Sequence, residues 1–114
     1  IGQAIGRAAA NEPRLVSVGA VDIDPHLQHH SLNEICDALL PELPIAGSLA
    51  AVQAPEGAVL LQATVSKLSQ GRNQFIEAIA RGYNVVSTCE ELVWPWDDHA
   101  ELAHELDEAA RKAD

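Results

Sequence analysis

Three short runs that are typical of buried strands constrain the fold more than any other feature, and the first of them is rich in valine and nearly free of polar residues. They cover Leu15 to Val21, Ala58 to Thr64 and Asn84 to Cys89. Near-continuous apolar strands are typical of a parallel sheet that is buried on both faces. Segments with helical spacing separate the runs, and parallel strands need such crossovers. The pattern therefore predicts an α/β fold of βαβ units.

Helix boundaries can be placed from short local signals. Apolar residues at helical spacing predict a first helix over residues 1–11, with Gly2 and Gly6 one turn apart and open to close packing. Ser31 and Glu34 fit a capping box for a short helix through Leu40. We also expect a short edge strand at 45–46 and a turn at 55–57. A later helix should have an apolar face of Phe75, Ile76, Ile79 and Ala80 and should end near Gly82. A last helix should be capped by Asp98 and Glu101 and carry an apolar stripe of Leu102, Leu106 and Ala109.

Composition narrows the function classes. The chain has 114 residues, a net charge of −10 and two cysteines. Such acidity disfavours binding to nucleic acid or to anionic membranes. Two cysteines make no disulfide framework, and no signal peptide is visible, so we expect a cytoplasmic protein. The size predicts one domain over residues 1–114.

In open parallel sheets, ligands bind beyond the carboxyl ends of the strands. Asp22 ends the first apolar run and comes 20 residues after Gly2, which opens the first helix. This interval matches the last glycine of a dinucleotide-binding turn and the acid that holds the adenosine ribose. Ile23 then stands where an arginine for a 2′-phosphate often lies, so NAD is slightly favoured over NADP. The alternative is a packing glycine and a solvated aspartate.

The chain opens on a helix and contains no methionine. A doubly wound sheet would place a central strand before that helix. We therefore expect an incomplete Rossmann-type sheet, whose first strand and C-terminal substrate domain lie outside this sequence.

Two stretches carry a family resemblance. Residues 1–22, ending in Val-Gly-Ala-Val-Asp, resemble the N-terminal domain of dihydrodipicolinate reductase. Residues 84–92, Asn-Val-Val-Ser-Thr-Cys-Glu-Glu-Leu, followed by Pro95-Trp96, are similar to the related 2,4-diaminopentanoate dehydrogenases. The stretch from His26 to Glu56 matches poorly.

The resemblance implies an NAD(P)-dependent oxidoreductase that transfers hydride to or from an amino-acid-derived imine or amine. It places Ile1 and Gly2 at the phosphate turn, and Asp22 and Ile23 at the adenosine ribose. It places Thr64 near the nicotinamide ribose, and Ser87 and Thr88 beside the nicotinamide ring. Substrate-binding and proton-donating residues would lie in the absent second domain, through which a homo-oligomer would form. No catalytic or metal-binding residue is therefore assigned in this chain.

Other polar or aromatic clusters have plainer interpretations. His26, His29 and His30 lack a recognisable metal-ligand spacing and are expected in a solvated loop. Cys89 beside two acids is expected to be a structural thiol. Glu90 and Glu91 favour a helix cap plus a solvated face over acid–base catalysis, for which Glu90 is the better candidate. The Trp94-Pro95-Trp96 cluster favours an interface.

Two other function classes stay open. Val21-Asp22-Ile23-Asp24-Pro25 also resembles the second strand of S-adenosylmethionine-dependent methyltransferases, where an acid holds a ribose. A non-catalytic module that senses a nucleotide would keep the same fold. Only the binding site, and not the fold, decides among these classes.

Overall fold

A computed structural model describes residues 1–114, which form two compact units. The N-terminal unit covers Ile1–Ala54 and the C-terminal unit covers Pro55–Asp114. Each unit contains one two-stranded parallel sheet. Parallel pairing agrees with the sequence interpretation, whereas a single doubly wound sheet and a single domain remain predictions.

The N-terminal unit is built from short elements. Helix α1 (Gly2–Ala10) is followed by strand β1 (Ala20–Val21), helix α2 (Leu32–Cys36) and strand β2 (Ile45–Ala46). Short 3-10 helices lie at Leu27–His29 and Leu49–Ala51. In the parallel register Ala20 is opposite Ile45 and Val21 is opposite Ala46. Because β2 pairs only with β1, it is the edge strand that its position predicted.

Helices α1 and α2 approach closely at Gly6. A Cβ atom at Gly6 would overlap the Cys36 side chain, so the glycine permits the contact. Gly2 has no such role, because a Cβ there would meet nothing within 4 Å. The apolar stripe expected on α1 is also weak at its start, since Ile1 is 83% exposed. The predicted packing function therefore belongs to Gly6 alone.

Helix α2 begins as expected but ends early. The Ser31 N–H donates to the Glu34 carboxylate at 2.9 Å, and the capping box is complete. The helix ends at Cys36 and not at Leu40, because Asp37 adopts a left-handed conformation at φ 48°. The chain therefore leaves the helix before it reaches Pro41 and Pro44.

The first apolar run forms less strand than predicted. Only Ala20 and Val21 pair with another strand, and Leu15, Val16 and Val18 are exposed. A strand requires a hydrogen-bonded partner, and within this unit β2 supplies two residues of pairing. The expected burial on both faces is therefore wrong for Leu15 to Val18.

The C-terminal unit has the order β3 (Val59–Gln62), α3 (Leu68–Ala80), β4 (Asn84–Ser87) and α4 (Ala100–Ala113). Strands β3 and β4 are parallel, with Val59 opposite Asn84 and Gln62 opposite Ser87. Helix α3 makes the crossover between them. It ends at Ala80, and Gly82 follows its C-cap residue at the predicted position, where φ is +75° and glycine avoids the strain of a Cβ. The turn at 55–57 is also present.

A continuous core holds the C-terminal unit together. Leu68, Phe75 and Cys89 form its buried centre, against which Val85, Leu92, Leu102 and Leu106 pack. Leu102 and Leu106 therefore lie on the predicted inner face of α4. An Arg72–Glu105 ion pair also joins α3 to α4, with Arg72 Nε donating to Glu105 at 2.7 Å.

Three expectations for this unit are corrected. The face of α3 that is buried runs through Leu68, Gly71, Phe75 and Ala78, whereas Ala80 is exposed. Helix α4 has His99 and not Asp98 at its N-cap, with Glu101 in the first turn. The sheet is not buried on both faces, because alternate residues on one face remain exposed: Val59, Leu61 and Val86.

None of the helices combines the length and the apolar character that crossing a membrane requires.

Candidate functional site

Asp22 lies directly after the carboxyl end of strand β1. Its N–H donates to the Ala46 carbonyl at 2.9 Å, which extends the parallel ladder by one residue. Its Oδ1 atom accepts the Asp24 N–H at 2.8 Å. The side-chain oxygen Oδ2 has no hydrogen-bond partner, so half of the carboxylate is available to a ligand. This is the strand-end position that the sequence predicted.

The loop after Asp22 is ordered by local hydrogen bonds. Asp24 Oδ1 accepts the His26 N–H at 2.9 Å, and Gln28 donates to the Asp22 carbonyl at 3.1 Å. Ile23 is 85% exposed and makes no polar contact. Gln28 also lines an open depression of about 350 Å³ that extends to His30 and Glu34. An apolar Ile23 at this position supplies no cation for a 2′-phosphate.

Ile1 and Gly2 lie at the start of α1. The Ile1 carbonyl accepts the Ile5 N–H at 3.1 Å, and the helix has no side-chain cap and no acid in its first turn. Helix N-termini of this kind favour anions. No hydrogen bond or ion pair joins Ile1 or Gly2 to Asp22. The structure thus places these residues in the same unit without a hydrogen bond or ion pair between them.

A polar cluster lies at the carboxyl ends of β3 and β4. Gln62 is 4% exposed and connects the two strand ends. Its Nε2 atom donates to Thr64 Oγ1 at 2.7 Å, and its Oε1 atom accepts a hydrogen bond from Ser87 Oγ. Thr64 and Ser87, which the sequence predicted as site residues, are therefore brought together through a residue that it did not.

Helix α3 adds Gln74 to this cluster. Gln74 Oε1 accepts from Gln62 Nε2 at 3.0 Å and from Thr64 Oγ1 at 2.6 Å. The hydroxyl hydrogens of Thr64 and Ser87 are thus used inside the protein. Thr88 is different, because its N–H donates to the Gln62 carbonyl at 3.0 Å while its exposed hydroxyl has no partner.

Cys89 is a core residue and not an exposed nucleophile. It is 2% exposed, and its thiol donates to the Ser66 carbonyl at 3.2 Å. Its N–H donates to Ser87 Oγ at 2.9 Å. These contacts agree with a structural thiol that holds the end of β4 in place.

The two acids after Cys89 have separate surroundings. Glu91 accepts the Leu68 N–H at 2.7 Å, which caps α3, and lies 3.2 Å from His99 Nε2. Glu90 is exposed and has no side-chain partner. The pair therefore consists of one helix cap and one solvated acid, which is the plainer interpretation of the sequence.

The histidine and tryptophan clusters are exposed. His26, His29 and His30 all face solvent, and His30 Nδ1 lies 3.6 Å from Glu34. No three His, Cys, Asp or Glu side chains come together as a metal-ligand group. Trp94 is 67% exposed, whereas Trp96 packs edge-on against His104 with ring centroids 5.3 Å apart.

Sequence reasoning missed Gln62 and Gln74. Gln62 is a polar residue that interrupts an otherwise apolar strand run, and a buried amide requires partners. That interruption was a usable signal. Gln74 gave none, because glutamine is common on solvent-facing helix positions and its contact with Thr64 spans ten residues.

Comparison with known proteins gives no family assignment: the chain matches no protein-family model, and a search of curated proteins finds no significant match.

Proposed function

We propose that this chain is the cofactor-binding part of an NAD(P)-dependent oxidoreductase, with NAD preferred. One observation carries the proposal. Asp22 follows a strand of a parallel pair and keeps Oδ2 free of hydrogen bonds. A carboxylate in that position accepts hydrogen bonds from the two hydroxyls of an adenosine ribose. The exposed, uncharged Ile23 supports the preference for NAD over NADP.

The other proposed contacts follow the family resemblance. The start of α1, at Ile1 and Gly2, would face the pyrophosphate with free N–H groups and the positive end of the helix dipole. Thr64, Ser87 and Thr88 would line the ribose–nicotinamide half of the cofactor. The free hydroxyl of Thr88 fits that position directly. Thr64 and Ser87 fit through their remaining acceptor capacity, since their hydrogens are engaged.

The bound nicotinamide would supply the hydride chemistry, and the protein would orient it. We propose an amino-acid-derived imine or amine as substrate, held by residues outside this sequence. A homo-oligomer formed through that outside part and a cytoplasmic location complete the proposal. No catalytic residue is assigned in the chain. A nucleic-acid or membrane partner is disfavoured by the charge of −10.

The test compares two aspartates in a single loop. NADH and NADPH are titrated against the wild-type protein, Asp22→Asn and Asp24→Asn, with nicotinamide fluorescence as the readout. Asparagine preserves the Oδ1 acceptor that orders the loop in either position. A lost hydrogen bond to a charged group is worth about 1.5–3 kcal/mol, so Asp22→Asn should weaken NADH binding about tenfold or more. Asp24→Asn should leave it within about twofold. Equal effects of both variants would refute the role of Asp22.

The same carboxylate also suits the adenosine ribose of S-adenosylmethionine. A protein that binds S-adenosylmethionine and ignores NADH would be assigned to the methyltransferase alternative. A protein that binds NADH but shows no turnover with any amine or imine, even when the proposed substrate-binding part is present, would be a nucleotide-sensing module. Both results leave Asp22 as a ribose ligand while rejecting the oxidoreductase.

A further inference from the structure

The polar cluster at the ends of β3 and β4 has a fixed hydrogen-bond direction. The Cys89 backbone N–H can only donate, and it donates to Ser87 Oγ at 2.9 Å. Ser87 therefore has its own hydrogen free to donate, and it does so to Gln62 Oε1. This sets the orientation of the Gln62 amide, with the oxygen toward β4 and the nitrogen toward α3.

The amide of Gln62 in turn orients the Gln74 side chain on helix α3. Both hydrogens of its Nε2 atom are used, one toward Thr64 Oγ1 at 2.7 Å and one toward Gln74 Oε1 at 3.0 Å. Gln62 is 4% exposed, and reversing its amide would turn an N–H group toward Ser87 Oγ and leave the Ser87 hydroxyl hydrogen without its acceptor. The oxygen of Gln74 consequently faces inward.

The nitrogen of Gln74 is the unused end of this cluster. Gln74 Oε1 accepts two hydrogen bonds, from Gln62 and from Thr64 at 2.6 Å, while Nε2 has no partner in the protein. We propose that Gln74 Nε2 is a ligand-binding donor that binds an acceptor oxygen of the ribose–nicotinamide half of the cofactor. This inference rests on the function proposed above and adds a residue on α3 to the site.

The arrangement selects for an acceptor. A donor held by two hydrogen bonds loses little freedom on binding, which makes it a better ligand than a mobile surface glutamine. Gln74 Oε1 already accepts two hydrogen bonds, so it has no lone pair left for a cation or a donor group. A carbonyl or ribose hydroxyl oxygen matches the free N–H groups.

The first test uses Gln74→Glu, which keeps an inward oxygen but replaces the outward donor by an acceptor with a negative charge. Gln70→Glu is the matched control, because it makes the same change one turn earlier on α3 at an exposed position. NADH and ADP are the two probes, since ADP lacks the ribose–nicotinamide half. We expect Gln74→Glu to weaken NADH binding about tenfold or more and to leave the affinity for ADP within about twofold of wild type. Gln70→Glu should bind both probes with nearly wild-type affinity.

The outcomes separate this inference from the function on which it rests. Unchanged NADH affinity in Gln74→Glu, or equal losses in both glutamate variants, overturns the role of Gln74 while wild-type NADH binding still stands. A wild-type protein that binds neither NADH nor ADP rejects the proposed function itself. Asp22→Asn should weaken the binding of both NADH and ADP, because both contain the adenosine ribose that Asp22 is proposed to hold.

A second measurement does not depend on a folded variant. In the wild-type protein, the side-chain NH₂ resonances of Gln74 should shift on addition of NADH and stay unchanged with ADP. A Gln74 resonance that is insensitive to saturating NADH overturns the inference.

Discussion

The two units contain the same kind of sheet but bury it to very different extents. In the C-terminal unit, helices of 13 and 14 residues pack against each other, α3 also packs against β4, and Leu68, Phe75 and Cys89 are buried. In the N-terminal unit, Cys36 and Ile45 are the only buried hydrophobic residues, and α1 buries none of its nine residues.

The difference shows what makes a parallel strand pair stable. Strands of two residues, as in β1 and β2, provide little cross-strand contact, and a five-residue α2 covers little surface. Segments with few buried apolar contacts open locally at a low free energy, whereas core segments open only at the free energy of global unfolding. We therefore expect the residues around Asp22 to be locally less stable than the cluster around Gln62. The residues proposed to bind the adenosine ribose would then lie in the more adaptable unit.

The largest expected effect is the loss of the aromatic ring in the better-covered unit. Phe75 is 2% exposed at the centre of the core. Phe75→Ala should lower the free energy of unfolding by about 3–5 kcal/mol, because the ring contacts are lost and a cavity remains. Urea denaturation followed by tryptophan fluorescence measures this loss.

Ile45→Ala makes the matching change in the N-terminal unit, where Ile45 is 7% exposed. Because the surrounding unit is thinly packed and can collapse around the gap, we expect a cost near the lower limit of about 2 kcal/mol. A loss at Ile45 equal to that at Phe75 would show that the two units do not differ in packing as their burial indicates.

An intermediate effect is expected where α1 meets α2. In Gly6→Ala the new methyl group overlaps the Cys36 side chain, and overpacking of this kind costs about 1–3 kcal/mol. Gly2→Ala is the control on the same helix, because its Cβ meets nothing within 4 Å. Thermal unfolding of both variants checks the difference.

The double variant Gly6→Ala/Cys36→Ala identifies the cause. Removing the sulfur should recover part of the stability that Gly6→Ala loses, so the two changes should be non-additive. Additive losses would mean that the α1–α2 contact is not what Gly6 serves.

Local signals in the sequence predicted most elements of the fold. Ser31 and Glu34 gave the start of α2, Gly82 gave the end of α3, and alternating apolar runs gave the parallel strands. The extent of the strand after Leu15 was not predictable in this way. Pairing depends on a partner distant in sequence, and apolar composition alone does not supply one.

The candidate site was predictable only at its strand ends. Asp22, Thr64 and Ser87 follow from the rule that ligands bind beyond the carboxyl ends of parallel strands. The link between Thr64 and Ser87 through Gln62 depends on three segments that meet only in the folded chain. Whether Gln74 joins them depends on which face of α3 is turned inward. Helical periodicity predicted that face incorrectly, since Gly71 and Ala78 are buried and Ala80 is exposed.

The smallest expected effect concerns the ion pair between α3 and α4, which has no counterpart in the N-terminal unit. The hydrogen bonds from Arg72 hold the pKa of Glu105 below its ordinary value of 4.5. A carboxylate with a lowered pKa in the folded state adds stability above its unfolded pKa, and that stability is lost as the pH falls through the folded value. Wild-type protein should therefore melt at a higher temperature than Glu105→Gln at pH 7, and the difference should shrink as the pH falls through the lowered pKa of Glu105. The control is Glu101→Gln, an exposed carboxylate on α4 without an ion pair. A melting difference for Glu105→Gln that stays constant as the pH is lowered until the carboxylates are protonated would mean that packing of the side chain, and not its charge, joins the helices. That result would leave the apolar core alone as the source of the C-terminal unit's greater stability.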